Sequence, residues 1–177
     1  MILFVRHGQT ELNAKNIVAG ANMDIPLNRT GRKQAKQTAE KLKDVKIDVA
    51  LCSPMKRAKQ TAKAILKYHK HTPIFYDERL RERDWGEFDG KSEELLPENV
   101  WHLDTELSES VERVDVLYER VKLFYEEVLE HYKNKTVLVV AHNGIARASG
   151  LYFKGMPKDK NFDIYSLNNA EVWQLTD

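Results

Sequence analysis

Short apolar runs alternate along this chain with amphipathic segments of helical period, and that alternation constrains the fold more than any other feature. Strands separated by helices of ten or more residues are typical of an α/β sheet with crossover connections. Two further runs, residues 163–167 and 171–175, flank Asn168-Asn169 and predict a hairpin. The other runs predicted as strands are residues 1–5, 47–52, 73–76 and 136–141.

Three of the intervening segments carry helix signals. Asn28 is placed to cap a helix whose apolar face holds Ala35, Ala39 and Leu42. Ser53-Pro54 predicts a second helix start, with proline at the first helical position. A long apolar stripe predicts a third helix over residues 110–132.

The periodic pattern fails over one acidic stretch, which contains Pro97 and Trp101. A long irregular connection in a small domain is commonly functional. We therefore predict a short cap or lid at about residues 91–108.

The size and charge of the chain exclude several classes of protein. At 177 residues it is most simply one domain, residues 1–177. Its 28 basic and 27 acidic residues leave a net charge of +1, so no overall field favours nucleic acid or a membrane surface. The apolar runs are far shorter than the roughly 20 residues of a membrane span. With no basic leader at its start and a single cysteine, Cys52, the chain is expected to be cytoplasmic.

Charged and polar side chains follow the predicted strands at the point where each ends. Ligands in open α/β sheets bind outside the carboxyl ends of the strands, so these side chains are expected to meet in one crevice. They are Arg6 and His7 after the first strand, Arg57 after the second, Glu82 after the third, and His142 with Asn143 after the fourth.

Phosphate chemistry suits this set of residues. Arg57 is predicted in the first turn of a helix, where the macrodipole disfavours a cation unless an anion binds nearby. A neutral histidine beside arginines can attack phosphorus, and the carbonyl of Gly8 could fix its tautomer. Taken singly, Arg57 could be a solvated surface residue, His7 a structural histidine, and Glu82 an ion-pair partner of its arginine neighbours.

Five segments in order resemble the histidine phosphatase superfamily, whose fold is shared with cofactor-dependent phosphoglycerate mutases. They are FVRHGQTELN, LNRTGRKQA, LCSPMKRAKQTA, RLRERDWGEFDG and VLVVAHNG. The resemblance spans nearly the whole chain. It implies a three-layer α/β/α sandwich with a mostly parallel central sheet.

The resemblance also implies a role for each site residue. His7 would be the nucleophile that becomes a phosphohistidine, and Glu82 would be the general acid. Neither a metal ion nor a cofactor is needed for this chemistry. The residues implied to line the phosphate pocket are Arg6, Arg57 and His142, with Asn13, Gly20 and Asn143 as further phosphate ligands.

Departures from the mutase pattern favour hydrolysis of small phosphomonoesters. Trp85 stands where mutases have tyrosine, Glu93 lies near an expected lysine, and Ala19 precedes Gly20 in place of threonine. The arginine pair of the mutase insertion is also missing. A cofactor-dependent mutase and an inactive member that binds phosphorylated ligands remain the alternatives, and the oligomeric state stays open.

The composition of the predicted cap indicates a class of substrate. Its acidic side chains would repel a second phosphate, whereas Trp85, Trp101 and His102 could contact a neutral portion. Monophosphate esters are therefore predicted over bisphosphates, unless the acidic residues simply face solvent. The acidic residues are Glu93, Glu94, Glu98, Asp104, Glu106 and Glu109.

Overall fold

A computed structural model describes residues 1–176 and confirms the α/β class. The sheet has the strand order β3-β2-β4-β1-β5. The first four strands of the chain are mutually parallel, and β5 runs antiparallel to β1. The strands are β1 (Ile2–Arg6), β2 (Val49–Cys52), β3 (Ile74–Tyr76), β4 (Val137–Ala141) and β5 (Val172–Thr176).

Helices cover both faces of this sheet. The four longer helices are α2 (Arg29–Leu42), α3 (Lys56–Ile65), α4 (Val114–His131) and α5 (Asn143–Lys154), and α1 (Glu11–Ala14) is a single turn. Short 3₁₀ turns lie at Glu78–Leu80, Gly86–Phe88, Glu93–Leu95 and Phe162–Tyr165. None of the helices within residues 1–176 is long and apolar enough to cross a membrane.

Side-chain alternation along β1 explains the layers. Leu3 and Val5 are buried with apolar residues of α2 and α3, whereas Ile2 and Phe4 are buried with those of α4 and α5. Successive side chains of a strand point to opposite faces, so each strand contributes to both cores. The predicted three-layer sandwich is confirmed.

Of the two strands in the predicted hairpin, the first is wrong and the second is present. Residues 172–175 do lie in β5, but Phe162–Tyr165 is a 3₁₀ turn capped by the side chain of Asn161. Phe162 is fully buried in the core beside α4 and α5, and Asp163 is paired with Arg147 of α5. Packing on the helix therefore decided the conformation of a segment whose apolar residues predict a strand.

The predicted start of α3 is also wrong. The helix begins at Lys56, with Met55 at the N-cap, and its first amide donates to Asp24 Oδ1 at 2.6 Å. Ser53 lies 2.7 Å from His142, measured from Oγ to Nε2. The serine therefore contacts a strand-end histidine, and its Oγ also accepts from the amide of the N-cap residue Met55 at 3.3 Å.

Candidate active site

The carboxyl ends of three adjacent strands bring the predicted residues together. His7 follows β1 and His142 follows β4, and their ring centroids lie 5.1 Å apart. Beside them opens a cavity of about 240 Å³. Among the predicted residues, its walls include Arg6, His7, Asn13, Glu82 and Asn143.

His7 is held in one tautomer. Its Nδ1 lies 2.7 Å from the carbonyl oxygen of Gly8, and because a carbonyl can only accept, Nδ1 carries the proton. Burial first, and then the charges of Arg57 and Arg6, hold the pKa of His7 well below its ordinary value of 6.5. The ring is therefore neutral at physiological pH, with a lone pair on Nε2.

Arg6 has an unfilled hydrogen-bonding capacity. Its Nη1 donates to the carbonyl of Leu167, while Nε is buried and has no partner within residues 1–176. Burial lowers the pKa of Arg6 to about 10, so the guanidinium still carries its charge at neutral pH. A buried N–H without a partner is costly, and an anion in the cavity would supply the missing acceptor.

Arg57 is fully buried, so the surface alternative is wrong. Its Nη1 donates to Met23 O at 2.7 Å, and Nη2 donates to Ala19 O at 3.1 Å and Gly20 O at 3.3 Å. Its Nε donates to His142 Nδ1 at 3.2 Å. Arg57 therefore joins the loop before α2 to the second histidine.

His142 is neutral for two reasons. Nδ1 accepts from Arg57, which is only a donor, so the ring proton is on Nε2 and points to Ser53 Oγ. Burial and the nearby Arg57 charge also hold its pKa well below 6.5. His142 is wholly buried, and it meets the site through its edge-to-face contact with His7.

Glu82 lies on the cavity wall with 7% of its surface exposed. Its Oε1 accepts from the backbone amides of Arg83 at 2.8 Å and Gly144 at 3.0 Å. A side chain at position 144 would place Cβ 2.3 Å from that oxygen, so the close approach requires glycine. Glu82 forms no ion pair with Arg81 or Arg83.

Of the three further phosphate ligands implied by the resemblance, two line the cavity and one does not. Asn13 lines the cavity and closes the capping box of α1 with Thr10. Asn143 also lines it, with Oδ1 accepting from the amide of Leu167 at 2.9 Å. Gly20 is not brought to the cavity: its amide donates to Asp89 Oδ1 at 2.7 Å and is engaged there.

Arg147 is a cavity residue that the sequence analysis missed. It is 9% exposed, pairs with Asp163, and lies 4.3 Å above the ring of Trp101. Since it comes four residues after Asn143 in the same helix, helical spacing could have placed both on one face.

The predicted cap contributes a wall through few of its residues. Glu93, Leu96 and Trp101 line the cavity, and Trp101 meets Trp85 edge to face at 5.3 Å. His102 instead forms a bridge with Asn161. All six acidic residues named above are exposed, as the solvent alternative expects, and Glu93 alone among them also lines the cavity. Within residues 1–176, no cluster of three His, Cys, Asp or Glu side chains could hold a metal ion.

Because His7 and His142 are buried in the neutral form, the stability of the fold should depend on pH. As the pH falls below 6.5, the unfolded chain binds protons that the folded chain excludes, so the free energy of unfolding decreases. Between pH 7.5 and 5.5 the loss should be on the order of 1 kcal/mol for each of the two histidines. Urea unfolding in phosphate-free buffer measures it. His142→Gln should reduce the slope; equal stability of the wild type at both pH values would contradict neutral burial.

The fold and this cavity together define an α/β protein of the phosphoglycerate mutase-like class, with a histidine after each of the neighbouring strands β1 and β4. The chain belongs to the histidine phosphatase superfamily: the model of that family's branch 1 matches residues 2–176.

Two relatives and one solved structure are consistent with membership of this superfamily. An uncharacterized phosphatase of Bacillus subtilis, PhoE, is 37% identical over 147 residues, which are 83% of this chain and 74% of the relative. A probable phosphatase of Schizosaccharomyces pombe is 34% identical over 169 residues, 90% of this chain and 78% of the relative. The solved structure of Bacillus stearothermophilus YhfR has a TM-score of 0.80 at 26% identity, over 89% of this chain and 81% of that one.

Proposed function

We propose that the chain hydrolyses small phosphomonoesters through a phosphohistidine on His7. The observation that carries this proposal is the bond from Nδ1 of His7 to the Gly8 carbonyl, which leaves the lone pair of Nε2 available. Arg6 and Arg147, which line the cavity, are suited to hold a phosphoryl group and to stabilise its equatorial oxygens. The phosphatase names of the similar proteins support hydrolysis.

In the first step the lone pair of His7 Nε2 forms a bond to phosphorus as the P–O bond to the leaving group breaks. Glu82 gives its proton to the departing oxygen, which leaves as an alcohol. In the second step Glu82 takes a proton from water, whose oxygen attacks phosphorus. The N–P bond then breaks, its electron pair returns to Nε2, and inorganic phosphate is released.

A panel of phosphate esters combined with phosphoenzyme trapping tests this proposal. The panel includes p-nitrophenyl phosphate, glycerol 2-phosphate, and 3-phosphoglycerate with and without its bisphosphate cofactor. We expect inorganic phosphate to be released and a labelled protein that is stable to base and labile to acid. Transfer between positions of phosphoglycerate without phosphate release would show a mutase. Tight phosphate binding without turnover would show a binding protein.

Glu93 is expected to select against a second negative charge. It lines the cavity within electrostatic reach of Arg6 and Arg147. Glu93→Lys should raise kcat/KM for a bisphosphate relative to a monophosphate by roughly tenfold, since replacing repulsion by attraction changes the interaction energy by about 1.4 kcal/mol in total. The matched control is Glu94→Lys, which alters an exposed neighbour. If both variants shift the ratio equally, the wild-type preference reflects the general surface charge and not Glu93.

A further inference from the structure

We infer that Arg120 and Glu112 form a clamp that positions Glu82 for proton transfer. This inference rests on the proposed function, in which Glu82 is the general acid. Neither residue touches the cavity, so both act through the backbone that carries Glu82. They are positioning residues and not catalytic ones.

The backbone around Glu82 needs support from outside. Residues 81–85 lie between two short 3₁₀ turns and belong to no helix or strand. Backbone carbonyls in such a segment have no regular partners, yet buried ones must be paired. Glu82 and Arg83 are both buried. The position of the Glu82 carboxyl therefore depends on whatever fixes these peptide groups.

Arg120 of α4 pairs two carbonyls of this segment and one in the 3₁₀ turn just before it. Its Nη1 donates to the carbonyls of Arg79 and Arg81, the latter at 2.9 Å, and Nη2 donates to the carbonyl of Glu82 itself at 3.2 Å. A guanidinium can do this because its donors are fixed in one plane, which a lysine ammonium cannot reproduce.

Glu112 orients the guanidinium of Arg120 and also forms hydrogen bonds to the backbone that follows Glu82. Its two carboxylate oxygens accept from Arg120 Nε at 2.7 Å and Nη2 at 2.9 Å, a bidentate pair with side chains only 20% and 12% exposed. Glu112 also bonds Asp84 twice, donating from its amide at 2.8 Å and accepting at Oε2 from the Asp84 amide at 3.2 Å. The clamp thus holds the backbone on both sides of Glu82.

The dependence of rate on the leaving group separates a positioning role from a structural one. p-Nitrophenolate is a stable anion and leaves without a proton, whereas the alkoxide of glycerol 2-phosphate requires one. The ratio of the two kcat/KM values, alkyl over aryl, therefore reports how well the acid is placed. General loss of folded protein lowers both rates and leaves this ratio unchanged.

We expect Arg120→Gln to lower the alkyl-to-aryl ratio by about tenfold, because a displacement of the acid impairs only the protonated departure. Glu112→Gln should lower it in the same direction by a smaller factor, and Arg120→Lys should restore part of it. If Arg120→Gln does not fold, the other two variants are measured by the same ratio. The control is Arg113→Gln, which breaks an exposed ion pair with Asp115 beside α4 and should leave the ratio unchanged.

Glu82→Gln distinguishes the two ways in which this inference can fail. If Glu82→Gln lowers the ratio but the clamp variants do not, the clamp is merely structural and the proposed function stands. If Glu82→Gln leaves the ratio unchanged, Glu82 is not the general acid. Both the positioning role of the clamp and the acid step of the proposed function are then wrong.

Discussion

Replacing His7 with alanine is expected to lower kcat/KM for p-nitrophenyl phosphate by at least about 10⁴-fold. On the proposed mechanism the variant loses the attacking lone pair of Nε2, so no phosphoenzyme can form. Arg6 and Arg57 remain, and inorganic phosphate should still bind. Initial rates, acid-labile labelling and calorimetric phosphate binding measure the three quantities separately.

The matched control is His71→Ala, which removes an exposed histidine and should retain full activity. Full activity in His7→Ala would show that another residue is the nucleophile. Loss of phosphate binding together with activity would instead show that His7 holds the ligand in place.

Replacing Arg57 with methionine is expected to impair both stability and activity. The change deprives three carbonyls and His142 of their donor, and leaving a buried acceptor without a partner costs about 1–3 kcal/mol each. Because the groups left without a donor can partly rearrange, we expect the free energy of unfolding to fall by about 4 kcal/mol. Losing a cation whose charge acts on His7 should also reduce kcat/KM by roughly 10³-fold.

Urea unfolding and initial rates on p-nitrophenyl phosphate test this expectation. Arg57→Lys keeps the charge but reaches fewer acceptors, so it should fall between wild type and Arg57→Met. Lys63→Met changes an exposed residue of the same helix and should affect neither quantity. Wild-type stability in Arg57→Met would mean that the loop carbonyls find other donors.

The convergence of the site was predictable because it follows from topology. Parallel strands end at one edge of a sheet, so the residues after β1, β2 and β4 had to meet there once those strands were recognised. The tautomer of His7 was predictable for a similar reason, since Gly8 follows it directly. Both predictions depend on neighbours in sequence or on regular structure.

What the sequence did not reveal depends on contacts between distant segments. The clamp joins α4 to a loop 38 residues earlier, from Arg120 to Glu82. The closer partner of Ser53 is a histidine 89 residues later, whereas a helix cap would have been local. No periodic pattern marks such pairs, because each is chosen by the packing of the finished fold. A polar side chain near an irregular loop is the only signal, and many exposed residues share it.

The place of β1 in the sheet affects how the protein is made. Its two neighbours, β4 and β5, both come from residues 137–176. During synthesis β1 is therefore made well before either of the strands with which it pairs. At about 5–20 residues per second that delay is roughly ten seconds or more. Until then, an apolar strand remains unpaired and exposed to aggregation. We therefore expect β1, the strand that leads into His7, to be a target for chaperones during synthesis, and folding to be slow for a domain of this size.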